Sequence, residues 1–122
     1  MASTEMVIVD TEKINWDPIE RVLGRVGALE SEFMKEALIK VLRIDKETGA
    51  KVMLLKYPKG FHAPRHTHPS DESGIVLEGR TVNEKGTEVK EGMYFFIPAG
   101  VEYGPMNAPD GCVLLIHSSG CE

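Results

Sequence analysis

Cysteine is scarce in this chain. Cys112 and Cys121 are the only two, too few for a disulfide scaffold, so a reduced, cytoplasmic protein is expected. Long apolar runs are missing as well. No stretch approaches the roughly 18 apolar residues that span a bilayer, so no membrane partner is expected. Positive charge is in deficit, with 14 Lys and Arg against 19 Asp and Glu, a net charge of −5. That balance leaves no electrostatic footprint for nucleic acid. The start, Met1-Ala-Ser-Thr-Glu5, has neither the basic residues nor the apolar run of a signal peptide. Repeats, low-complexity tracts and linkers are also lacking.

What remains is ordinary globular composition, 42% hydrophobic and 27% charged in 122 residues, which predicts one domain over 1–122. Gly, Pro and acidic turn signals are frequent, as at Lys46-Glu-Thr-Gly49, Pro58-Lys-Gly60, Pro98-Ala-Gly100 and Pro109-Asp-Gly111. Between them the pattern predicts short strands over 6–9, 38–44, 51–57, 62–66, 73–77, 80–83, 88–89, 94–97 and 112–117. Strands at this spacing indicate a sandwich or barrel. Residues 29–42 carry helix-like spacing in Leu29, Phe33, Ala37 and Val41, but a hairpin follows. A short helix or loop is expected near 29–35, then a strand from 38.

The chemistry concentrates in Gly60-Phe-His62-Ala-Pro-Arg-His66-Thr-His68-Pro-Ser-Asp-Glu72, closing at Gly79. It reads G-x5-H-x-H-x3-E-x6-G. Alternate side chains of a strand share a face, so His66 and His68 project together, and Glu72 returns after a short turn. Two imidazoles and a carboxylate that converge can hold a divalent metal, Fe, Zn, Mn or Ni, with coordination positions left open. Gly60 suits the turn into the strand and Gly79 a tight turn out of the next.

A second segment, Gly92-Met-Tyr-Phe-Phe-Ile-Pro98-Ala-Gly100-Val-Glu-Tyr103-Gly-Pro-Met-Asn107, reads G-x5-P-x-G-x2-Y-x3-N. Together the two segments resemble the paired motifs of the cupin superfamily. Residues 16–57, with the Asp45–Gly49 turn before an apolar strand, look more loosely like the lead-in of small single-domain cupins, a subgroup that includes diketone-cleaving dioxygenases and the cupin domains of zinc-dependent anti-sigma factors. The resemblance implies an all-β fold, a double-stranded β-helix (jelly-roll barrel) with at most one short helix. It implies His66, His68 and Glu72 as metal ligands. It also exposes one departure, because Tyr103 stands where cupins place a further histidine ligand. Tyr103 is then a phenolate ligand, a general acid or base, or the mark of a degraded site.

Other residues carry weaker signals. His62 lies four before His66, on the same face if the strand is unbroken across Pro64, but a strand-entry position facing water is the plainer reading. His117 ends an apolar run and reads as a strand end. Asp71 suits a turn, and the cysteines lack a neighbouring base. Trp16, Phe33, Phe95 and Phe96 are expected in the core or at a subunit interface. Arg65 alternates away from the site.

The expected function is a metal-dependent, Fe(II)-type dioxygenase acting on a small carbonyl compound. Two alternatives stand beside it. One is a non-oxidative lyase or isomerase with Tyr103 as base, and the other a metal or ligand sensor without turnover. The expected partners are a small molecule and a second copy of the chain, because a strand at 6–9 would present an uncovered edge.

Overall fold

The computed structural model describes residues 5–22 and 35–120. Among them, nine strands and one single-turn α-helix follow in order: β1 (Asp17–Pro18), α1 (Ile19–Val22), β2 (Leu38–Ile44), β3 (Lys51–Tyr57), β4 (Phe61–Ala63), β5 (Glu72–Asn83), β6 (Glu88–Lys90), β7 (Tyr94–Ile97), β8 (Met106–Ala108) and β9 (Cys112–Ser118). All pairings are antiparallel. The main path runs β1-β2-β3-β9-β5-β8-β4, and β6 and β7 also pair with β5. The all-β jelly-roll expectation therefore holds.

Strand β5 joins the two walls of the barrel. Residues 72–79 pair with β7 and β9, and residues 80–83 pair with β6 and β8. The segments 73–77 and 80–83, expected as two strands, are thus one. Gly79 is not a turn but a mid-strand residue with φ of +77°. A Cβ there would stand 2.2 Å from the Gly111 carbonyl oxygen, so the glycine permits both the left-handed backbone and the close approach. A register shift between Val76 and Glu78 marks a bulge just before it.

Alternation builds the core. Met53, Leu55 and Tyr57 from β3 meet Leu114, Ile116 and Cys112 from β9, with Ile39, Phe61 and Val76 fully enclosed. Phe95 packs against this cluster, whereas Tyr94 and Phe96 lie 67% and 54% exposed. Phe95 therefore belongs to the inward aromatic set. Trp16 is half-buried and outside the core cluster. Its ring lies under the ammonium groups of Lys40 and Lys56, at 4.8 and 5.6 Å, a cation–π arrangement on the outer face.

Two further expectations need correction. Residues 6–9 form no strand; they run as an unpaired segment with Met6 and Ile8 more than 80% exposed. The strand expected over 62–66 is only Phe61–Ala63, because Pro64 interrupts it. Strand β8, hidden in sequence between Pro105 and Pro109, was not expected. The helix or loop near 29–35 falls mostly outside the described residues, while the strand from 38 is observed.

Candidate metal centre and cavity

Pro64 resets the alternation. Phe61 and Ala63 point inward and His62 outward, yet after Pro64 it is His66 and His68 that turn in. His66 then pairs with Tyr103 as an isolated antiparallel bridge, each amide donating to the other's carbonyl at 3.0 Å. Gly100 donates to the His68 carbonyl at 2.9 Å. Asp71 anchors the turn before Glu72, accepting from the Ala99 amide at 2.8 Å and the Ser119 amide at 2.9 Å. That is the turn role its position suggests.

These backbone contacts bring four side chains to one wall. The Tyr103 hydroxyl lies 2.9 Å from Nε2 of His66 and 2.5 Å from Nε2 of His68. Glu72 Oε1 is 3.4 Å from His68 Nε2. His66 donates Nδ1–H to the Pro64 carbonyl at 2.6 Å, which leaves its Nε2 as a lone pair aimed at Tyr103. Burial, and then the neighbouring His66, push the His68 pKa down from 6.5 to about 4, so His68 is neutral at neutral pH.

The donor chemistry fits a divalent cation. Where both imidazoles turn Nε2 lone pairs toward Tyr103, one phenolic proton can satisfy only one of them, whereas a cation held by both nitrogens satisfies the pair. Two imidazoles, a carboxylate and a phenol oxygen are a set that Fe, Zn, Mn or Ni accepts. Among the described residues, no three His, Cys, Asp or Glu side chains stand close enough to hold a metal by themselves. The Tyr103 oxygen fills the point the two imidazoles share. Without a cation the same atoms make a proton chain, His68 Nε2–H to the Tyr103 oxygen and Tyr103 O–H to His66 Nε2.

The wall opens on a cavity of about 340 Å³, within the usual range for small-molecule sites. Met53, Leu55, Phe95, Leu114 and Ile116 give it an apolar lining. The remaining candidates lie elsewhere. His62 is exposed and its Nδ1 meets Asn107 Oδ1 at 2.6 Å. His117 is exposed on the outer face. Arg65 points away, to Glu84 at 2.8 Å. Burial pushes the Cys112 thiol up to about 11, which suits packing and not nucleophilic attack; Cys121 is outside the described residues. Sequence reasoning missed Tyr57 and Thr81, both lining the cavity. Tyr57 was available from its alternation with Met53 and Leu55.

Residues 4–121 match the family model of the ChrR cupin-like domain. Among curated proteins, none matches the sequence. The fold is similar to an RmlC-like cupin protein from Ralstonia eutropha (TM-score 0.73, 18% identity, 95% of this chain and 69% of that one). It is similar to an acetylacetone dioxygenase from Acinetobacter johnsonii (TM-score 0.68, 15% identity, 98% and 76%). It is also similar to a chain in the Rhodobacter sphaeroides complex of SigE with the anti-sigma ChrR (TM-score 0.62, 20% identity, 89% and 51%). The chain thus spans about half the length of that last chain.

Proposed function

Because the chain belongs to the ChrR cupin-like domain family, we propose that it is a metal-dependent cupin enzyme, an Fe(II)-type dioxygenase acting on a small carbonyl compound. The observation that carries this reading is the convergence of His66 Nε2 and His68 Nε2 on the Tyr103 hydroxyl at the wall of an apolar cavity. His66, His68 and Glu72 would hold the divalent metal. When bound, the metal supplies Lewis-acid polarisation and, where it is iron, the redox capacity that dioxygen chemistry requires.

The chain's own residues do the rest. The apolar lining receives the carbon skeleton and excludes water, which strengthens polar interactions within. Tyr103, held between two imidazoles, is placed to orient a substrate oxygen. It can also take or return the proton at a carbon beside a carbonyl, with His66 Nε2 as the adjoining acceptor. Likeness to the acetylacetone dioxygenase fold supports a carbonyl substrate.

A second reading, a metal or ligand sensor without turnover, is favoured by the family match and by the ChrR neighbour. Oxygen consumption by iron-loaded protein with acetylacetone as probe separates them. Uptake that needs both iron and the diketone supports the dioxygenase. Conversion without oxygen points to the lyase or isomerase. Binding without conversion points to the sensor.

The rest of the chain bears on the proposed setting. Among the described residues no helix is long and apolar enough to cross a membrane. Cys112 is a free thiol, which supports a reducing, cytoplasmic setting. The exposed Tyr94, Phe96 and Leu77 of the outer face support a homodimer, in place of the edge strand expected at 6–9.

A further inference from the structure

Two buried hydroxyls of the cavity lining are left over once the histidine wall is described; the Thr87 hydroxyl lines it too but is exposed. Tyr57 and Thr81 are 8% and 9% exposed, and both line the cavity. Neither has a hydrogen-bond partner among the described residues. No buried side-chain oxygen or nitrogen among those residues is sealed away without a partner. The two hydroxyls therefore keep access to open space, and the open space beside them is the cavity. A ligand that covered these hydroxyls without offering them a partner would leave them unsatisfied at a cost, and a ligand oxygen avoids it.

In backbone register both lie toward the Cys112 end of β9, and from there the Tyr57 ring reaches into the cavity near enough to feel the charge of Glu72. Glu72 pairs with Ser118 at one end of β9, and Gly79 pairs with Cys112 at the other. Tyr57 also pairs with Cys112, and Thr81 lies two residues beyond Gly79 on the same face. The Tyr57 ring is stacked on buried Phe61, with centroids 4.3 Å apart and planes at 11°, so its hydroxyl is aimed by packing.

We infer that Tyr57 and Thr81 form a second, neutral hydrogen-bonding subsite for a carbonyl or hydroxyl oxygen at the end of the ligand remote from Tyr103. The inference rests on the small-molecule reading of this cavity and narrows it. The ligand has polar groups at both ends of an apolar body. The remote group is uncharged, because no Lys or Arg lines the cavity and a carboxylate buried there would lack a counter-charge. Burial and the charge of Glu72 hold the Tyr57 phenol well above its usual range, so it remains a donor.

Calorimetric titration with benzoylacetone and its para-hydroxy derivative tests this. The wild type should prefer the hydroxylated compound about tenfold, the scale of one buried hydrogen bond. Tyr57→Phe and Thr81→Val should each abolish or invert that ratio, and Thr81→Ser, which keeps the hydroxyl, should preserve it. Equal affinities in the wild type, or a preference that survives both Tyr57→Phe and Thr81→Val, overturn the subsite alone. Binding of neither compound overturns the small-molecule reading and the subsite with it.

Discussion

His66 and Tyr103 are joined twice, by reciprocal backbone hydrogen bonds of 3.0 Å and by a side-chain contact of 2.9 Å. The backbone pair positions residue 103 whatever side chain it carries. Tyr103→Phe should therefore leave the fold unchanged; as the loss of an acid–base group it should keep the metal content and lower turnover about 10²–10⁴-fold, whereas a fall in metal content instead would make the phenol a ligand. Tyr103→His should tighten metal binding. A Tyr103→Phe protein with normal metal content and normal activity would reduce the tyrosine to packing.

The two imidazoles have the most to lose from substitution. His66→Ala or His68→Ala should weaken binding of added Fe(II), Mn(II) or Zn(II) by more than about tenfold, since even disturbed outer-shell partners cost that much. Elemental analysis after dialysis against the metal checks this. Since a metal bound only to the folded state raises its stability, thermal melting should rise with metal in the wild type and not in either variant. Equal metal content in all three proteins would remove the histidines from the centre.

Gly79 tests the barrel itself. Its φ of +77°, and the Gly111 oxygen only 2.2 Å from where a Cβ would stand, leave an alanine no room. Gly79→Ala should cost at least about 1–3 kcal/mol, the range for a non-glycine residue held in a disfavoured conformation. Urea unfolding measures it, and an unchanged midpoint would mean that β5 bends without the glycine.

Acid should weaken the metal-free protein through His68. Its pKa falls from 6.5 to about 4 on folding, so below 6.5 the unfolded chain takes up a proton that the folded chain refuses. The contribution is complete above about 6.5, declines as pH falls toward about 4, and changes no further below that. Urea midpoints across this window should decline less steeply in His68→Gln than in the wild type. Identical slopes would show that His68 does not titrate with folding.

The outer face carries the dimer expectation. Tyr94 and Phe96 are 67% and 54% exposed on one face of β7, and self-complementary pairing of such a patch is the commonest route to a closed dimer. Light scattering at micromolar concentration should give twice the chain mass, and Tyr94→Lys with Phe96→Lys should return it to one. A wild-type monomer would refute the dimer.

Much of the fold was already settled in the sequence. Short apolar runs with turn residues at their breaks placed β3 and β7 at their observed bounds, and the hairpin turn after residue 44 placed β2 against a helix-like spacing. The spacing of His66, His68 and Glu72 named three of the four side chains at the wall, and the paired motif named the position of the fourth. The tertiary structure decided what alternation cannot carry across an interruption. Pro64 breaks the parity that would have grouped His62 with His66. The bulge between Val76 and Glu78 shifts parity by one, so Glu72 and Thr81, nine residues apart, face the same cavity although simple alternation opposes them. Tyr103 meets the histidines through a bridge between segments 37 residues apart, and no local pattern encodes a contact whose geometry is set only when two strands pair.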